Sequence, residues 1–218
     1  MAMKTLNLLE SGLDRATHVS SRTPGSDETS VQEGARVVVP DGQKAVLFAE
    51  GQALKTFGPG QHVANCANVP GLDETLTKVG FLSRMLGCRA TFAGHVWFVS
   101  YEIPSLHWKT KAIEVRDAVK GSGQVFLLGT YGLKISDPVL FLNTVGGGRD
   151  GCTVESLVSF FDRSLLAELK QLLAASSTVA QLMKDATPLH QKLTESFARF
   201  GVELCSVVVE DAAPASST

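Results

Sequence analysis

The sequence lacks the features that mark membrane-spanning and nucleic-acid-binding chains. Its longest unbroken apolar run is the five residues 45–49, far short of the ~20 residues that a membrane-spanning helix needs. Its 20 basic and 22 acidic side chains give a net charge of −2, without a conspicuous Lys/Arg cluster. A nucleic-acid partner is therefore not expected. The first 14 residues contain one lysine and an early acid, which is too weak a pattern for a secretory signal.

Cysteine is sparse and follows no pattern. The four cysteines, at positions 66, 88, 152 and 205, form no C-x-x-C pair and have no histidine at zinc-finger spacing. Such scattered thiols are typical of reduced cysteines in a cytoplasmic protein.

The histidines do not predict a metal site either. His62, His95 and His107 fall in strand-like segments, where histidines are usually core or rim groups. We expect no metal site.

Composition divides the chain into three parts. Residues 1–33 are interpreted as a flexible segment, because residues 17–34 are rich in polar side chains, glycine and proline. Within it, Leu6, Leu9 and Leu13 recur at a spacing that indicates a short amphipathic helix, although a frayed leader is an equal alternative. Residues 34–211 form the folded domain, and residues 212–218 are a disordered tail.

The first half of the folded domain has the pattern of an antiparallel β meander. Asp41-Gly42 predicts a hairpin between strands at residues 35–39 and 43–49, and a second tight turn is expected at residues 50–51. Residues 71–87 show helical spacing. Further strands follow, and the last of them has Gly129 and Gly132 as expected bulge points.

The second half has the pattern of helices followed by one strand. Asp137 and Pro138 predict a helix start. Apolar residues at helical spacing predict helices over residues 153–172 and 187–200, with Gly201 ending the second. A final strand covers residues 202–211. The sequence therefore predicts an α+β fold, an antiparallel β meander lobe followed by a helix–helix–strand lobe.

The glycine run VGGGRDGCT at residues 145–153 raises the question of nucleotide binding. Gly146, Gly151 and Thr153 fit the G-x-x-x-x-G-x-[ST] frame of a phosphate-binding loop. That loop requires a lysine where this chain has Cys152, and it follows a buried parallel strand, which a meander does not supply. We interpret the run as a turn between two elements. No other catalytic motif is present, so we predict a protein that is not an enzyme and has no catalytic residues and no cofactor.

One apolar patch has two interpretations. Phe81, Leu82 and Met85 follow Gly80 in a segment of helical spacing. They either cap one end of the sheet or form a hydrophobic loop that touches lipid or a neighbouring subunit. With Leu6, Leu9 and Leu13, they are the candidate residues for contact with a membrane or a partner.

Six motifs in order resemble the SPFH (band 7) domain, and most closely its soluble bacterial branch, labelled "virion core protein-like". The first motif is Q-x-A-V-x-F with the glycine of the following turn, at Gln43, Ala45, Val46, Phe48 and Gly51. The second is F-G-P-G at residues 57–60 followed by N-V-P at residues 68–70. The others are VWFVS, LHWKTK with IEVRD, the run FLLGTYGLKISDPVLFLNTVGG, and FARFGVELCSVVVED. The chain departs from the branch at Lys109, where glycine is usual, and larger relatives continue into a coiled coil where this sequence ends in AAPASST.

The resemblance implies a fold and a role. Relatives such as stomatin, prohibitin and flotillin have a meander packed against an α/β lobe and form oligomeric, membrane-associated scaffolds without enzymatic activity. We therefore expect a cytoplasmic scaffold or adaptor, peripheral to the inner face of the membrane, that organises membrane assemblies in stress or protein quality control. Its expected partners are further copies of itself and a membrane surface or membrane protein, with no small-molecule substrate. The alternative is a structural subunit of a protein shell or phage-like particle.

Overall fold

The computed structural model describes residues 4–25, 29–76, 90–117, 121–148, 151–175 and 178–214. It confirms the predicted α+β class, with mainly antiparallel sheets and the helices concentrated in the C-terminal part. Backbone contacts divide the chain into two compact units. Unit 1 is Met1–Tyr101 with Gly146–Thr153, and unit 2 is Glu102–Val145 with Val154–Thr218.

The described residues form thirteen strands, four α-helices and one turn of π-helix (Leu142–Gly146). The strands are β1 (Lys4–Glu10), β2 (His18–Thr23), β3 (Thr29–Val39), β4 (Gln43–Ala49), β5 (Gln52–Phe57), β6 (Gly60–Ala64), β7 (Thr91–Phe92), β8 (Gly94–Ser100), β9 (Glu102–Lys109), β10 (Ile113–Asp117), β11 (Gly121–Ile135), β12 (Cys152–Thr153) and β13 (Val202–Pro214). The helices are α1 (Pro138–Phe141), α2 (Val154–Ala174), α3 (Val179–Lys184) and α4 (Thr187–Ala198).

Unit 1 consists of two sheets that share one apolar core. One sheet has the order β1-β3-β6, with β7 also paired to β3, and the other has the order β12-β2-β8-β4-β5. The β1–β3 pair is parallel and the other pairs are antiparallel. Fully buried side chains of both sheets, such as Val37, Phe92, Leu47 and Phe98, meet in the core. Alternating apolar positions on strands of both sheets therefore account for the sandwich.

The N-terminal leucines form a strand, so the prediction of a helix there is wrong. Leu6 pairs with Val31 whereas Leu9 pairs with Val37, and the register shifts between these two points. Such an irregularity turns the strand over, so Leu9 is buried in the core and Leu6 packs partly buried against it. The three-residue spacing therefore came from a strand irregularity. Strands β2 and β3 likewise occupy residues 18–23 and 29–33 of the segment that composition indicated to be flexible.

The expected hairpin at Asp41-Gly42 is also wrong. Strands β3 and β4 have the predicted positions, but they belong to different sheets and do not pair. The turn is a corner between the sheets, because Val39 and Ala45 on either side of it both face the shared core. The next turn is a hairpin as predicted. Ala49 pairs with Gln52 there.

Unit 2 is a sheet with its helices packed on it. Strand β11 is the centre, with β13 along one edge and with β9 and β10 one after the other along the other edge. Thr110 bridges the gap between β9 and β10. Its amide donates to the Leu127 carbonyl at 2.9 Å, and its hydroxyl oxygen accepts from the Leu127 amide at 2.9 Å. The hydrogen-bond ladder of β11 therefore continues through the gap.

The bulges expected in β11 are confirmed. Register shifts occur beside Gly129 and beside Gly132. Gly129 lies so close to the Trp108 ring and to the Val208 carbonyl oxygen that a Cβ atom would overlap both. Glycine at this position therefore lets the indole lie directly across the sheet.

The predicted helices of the second half are confirmed. Asp137 caps α1 by accepting two backbone hydrogen bonds at 3.0 Å, with Pro138 in the first turn. Helices α2 and α4 meet through Phe161 and Phe197, whose ring centroids are 4.0 Å apart, and Tyr131 of β11 packs edge-on against Phe197. Helix α3 was not predicted. The helix expected over residues 71–87 lies largely outside the described residues, and its described part, residues 71–76, contains turns and a bridge.

Candidate functional site

The ends of the glycine run are attached to a strand. The Ser20 hydroxyl of β2 donates to the Gly146 carbonyl at 2.5 Å and accepts from the Cys152 amide at 3.0 Å. The Gly151 amide is also occupied, because it donates to the Gly148 carbonyl at 3.0 Å. The amides of Gly151 and Cys152 are therefore not free to hold a phosphate, which agrees with the interpretation of the run as a turn.

The position that a phosphate-binding lysine would occupy holds a buried thiol. Cys152 is 3% exposed, and burial raises the pKa of its thiol to about 11. The side chain is therefore neutral at physiological pH. Gly151, with φ of +85°, lies against the Ser20 carbonyl oxygen, so a larger residue would push β12 away from β2.

The three strand histidines have separate surroundings. The Nε2 atom of His62 lies 2.7 Å from the Gly58 carbonyl oxygen, and His95 stacks on Phe48 with ring centroids 5.6 Å apart. His107 is exposed on β9. Among the described residues, no group of three or more His, Cys, Asp or Glu side chains has the arrangement of a metal site.

The six candidate contact residues are not brought into one described patch. Leu9 is 0% exposed and has no surface to offer to lipid in this fold. Leu6 and Leu13 are partly exposed. Phe81, Leu82 and Met85 lie outside the described residues, so their role stays a prediction.

Unit 2 contains two cavities that sequence reasoning missed. A cavity of about 400 Å³ lies beside α2, lined by Lys109, Lys111, Asp162 and Arg163 among other residues. A second cavity of about 750 Å³ follows it, with Lys170 in its lining. The sequence carries one signal for this site. Lys109 and Lys111 alternate with Thr110, a spacing that places both cations on the same face of an extended segment. The segment was interpreted only as strand and turn.

The described part of unit 2 also contains buried polar atoms without hydrogen-bond partners. Among the described residues, neither Trp108 Nε1, Tyr131 Oη nor Asp162 Oδ1 has a hydrogen-bond partner. Burial raises the pKa of the Asp162 carboxyl. The pKa of Tyr131 is also raised, mainly by burial and further by the Asp162 charge. Unpartnered buried polar groups are costly, so these atoms lower the stability of unit 2 without forming an accessible site.

Comparison with known families decides the identity of the fold. The model of the "SPFH domain-Band 7 family" matches residues 22–216. The chain belongs to this family. The match extends on both sides beyond residues 34–211, the bounds predicted for the folded domain. The "virion core protein-like" branch stays a prediction. Comparison with curated proteins gave no match.

Two of the SPFH motifs fall at points where the chain changes direction. The FGPG motif joins β5 to β6, and the Asp-Pro pair begins α1. Membership in the SPFH family is consistent with a scaffold or adaptor role. None of the helices in the described ranges is long and apolar enough to cross a bilayer.

Proposed function

We propose that this SPFH-domain chain is a non-catalytic scaffold or adaptor that self-associates and docks at a membrane surface or on a membrane protein. The observation that carries the proposal is the family match over residues 22–216. SPFH domains are generally scaffolds rather than catalysts. On this proposal the chain works in the cytoplasm, at the inner face of the membrane, and organises membrane-protein assemblies.

The sheet edges support the self-association part of the proposal. Strand β13 is 13 residues long and pairs on one side with β11, and among the described strands none pairs with its other side. Val208 on this strand is 47% exposed. A long edge strand offers unpaired backbone groups to another chain, so it suits an assembly made of repeated copies.

The test measures particle mass and membrane binding separately. Mass is measured by light scattering during gel filtration, and binding by flotation with vesicles of phosphatidylcholine and phosphatidylglycerol. We expect a discrete oligomer that floats with the vesicles. The double variant Phe81→Ser, Leu82→Ser should keep its mass and lose flotation, whereas Val63→Ser, which changes an exposed apolar residue of β6, should keep both.

The outcomes distinguish the two parts of the proposal. A monomer that ignores vesicles overturns the whole proposal. An oligomer that stays with the soluble fraction overturns the membrane part only. Large soluble particles that pellet without vesicles favour the shell subunit instead.

A further inference from the structure

The linings of the two cavities of unit 2 follow one another along the chain, so we treat the two cavities as one elongated groove, which we call the α2 groove. Its strand side is built by residues 109–111 and then by residues 112–114, and its helix side by residues 159–166 and then by residues 170–174. Both sides therefore run in chain order past the two cavities. At ~1.5 Å per residue the helix side is about 22 Å long, which accommodates roughly six or seven residues of extended chain.

The strand side of the α2 groove is the edge of a sheet. Strands β9 and β10 pair with β11, and among the described strands neither has a partner on its other side. Backbone groups on that side are available to an added strand. Leu166 and Leu173 of α2 are partly exposed along the groove. They offer apolar contacts to side chains of such a strand that face the helix.

The charges of the α2 groove favour an acidic occupant. Its lining contains four cations (Lys109, Lys111, Arg163 and Lys170) and two carboxylates (Asp162 and Glu114). Within the described part of the chain, none of the four cations forms an ion pair. One of the two carboxylates, that of Asp162, is only partly accessible from the groove, because its Oδ1 atom is buried. The accessible charge is therefore clearly positive, in a chain whose net charge is −2.

We propose that the α2 groove binds an extended acidic peptide segment of a partner protein, which pairs with the β9–β10 edge and places its carboxylates on Lys109, Lys111 and Arg163. The elongated shape and the strand edge favour a peptide over a lipid headgroup, which would need neither. The proposal goes beyond the scaffold function and does not depend on self-association or on membrane binding.

The test uses the full chain and the peptide Glu-Val-Glu-Val-Glu-Val-Glu with blocked ends and a fluorescent label. We expect saturable binding that weakens as salt is added, because exposed charge pairs are screened. The double reversal Lys111→Glu, Arg163→Glu should weaken binding about tenfold or more, since two favourable pairs become repulsive. The matched control Lys184→Glu, Arg199→Glu changes two exposed cations of the same unit outside the groove and should bind as the unchanged chain does.

Further measurements separate the proposal from simpler explanations. Circular dichroism and the melting temperature of both double variants check that they fold. Hydrogen exchange of the β10 amides should slow on binding, as strand pairing requires. Equal binding of the Lys-Val counterpart peptide, an unaffected Lys111/Arg163 double variant, or no binding at all would overturn the proposal. Binding of anionic vesicles but not of the peptide, lost in the groove variant, would assign the groove to lipid headgroups instead.

Discussion

The hydroxyl of Ser20 fixes the glycine run to unit 1, and its removal is the most direct test of that arrangement. Ser20 is 0% exposed. It donates to the Gly146 carbonyl and accepts from the Cys152 amide. The substitution Ser20→Ala removes both hydrogen bonds and adds no bulk. It leaves one buried acceptor and one buried donor without partners.

The expected cost follows from those two groups. Each buried polar group left without a partner costs about 1–3 kcal/mol. Water that enters beside the new methyl group recovers part of that cost. We therefore expect the free energy of unfolding to fall by about 2–4 kcal/mol.

The neighbouring serine provides a matched control. The Ser21 hydroxyl oxygen is buried and, within the described ranges, has no hydrogen-bond partner. Ser21→Ala should therefore change stability by less than about 0.5 kcal/mol or raise it slightly. Urea unfolding followed by circular dichroism gives the two free energies. Hydrogen exchange adds a local measurement, because the Cys152 amide should exchange faster in Ser20→Ala only.

The reasoning fails if the two variants are equally stable and the Cys152 amide keeps its protection in both. That result would mean that β12 is held by its backbone pairing alone. It would also reopen the question of whether the amides of the glycine run are available to a ligand.

Two further predictions concern unit 2 and the buried thiol. Gly129→Ala should lower stability by about 3 kcal/mol or more, because the new methyl group would overlap the Trp108 ring and the Val208 carbonyl. Gly123→Ala, where nothing lies within 4 Å, should have little effect, and equal melting temperatures would contradict the argument. Burial raises the pKa of Cys152 from 9.0 to about 11, so the unfolded chain ionises first and stability should be lost between pH 9 and pH 11. The free energy of unfolding, measured with urea across that pH range, should fall less steeply in Cys152→Ala than in the unchanged chain. Identical slopes would refute this.

Local signals predicted local structure well. The Asp137-Pro138 start, the glycine bulges of β11 and the turn at residues 50–51 depend on neighbouring residues only. The expectation at each of these points is confirmed. Backbone conformation and capping are set within a few residues, so a single sequence contains the necessary information.

Pairing between distant segments was not predictable in the same way. The leucines of β1 fit a helix as well as a strand. The strand is stabilised by pairing with β3, in which Lys4 lies opposite Thr29, about 25 residues further along the chain. The corner at Asp41 has the sequence of a hairpin, but the shared core places β3 and β4 in different sheets. The α2 groove depends on strand residues 109–114 meeting helix residues 159–174. The sequence pattern of neither segment indicates that the two lie side by side.

Gly146–Thr153 belongs to unit 1 although the chain on both sides of it belongs to unit 2. The backbone therefore changes unit three times, after Tyr101, after Val145 and after Thr153. Neither unit is a continuous stretch of the gene. A chain cut after Tyr101 would lack β12 and would expose the edge of β2, which is an aggregation risk. A fragment that keeps unit 1 whole therefore has to include residues 146–153 as well as residues 1–101, and it cannot be made by a single cut of the chain.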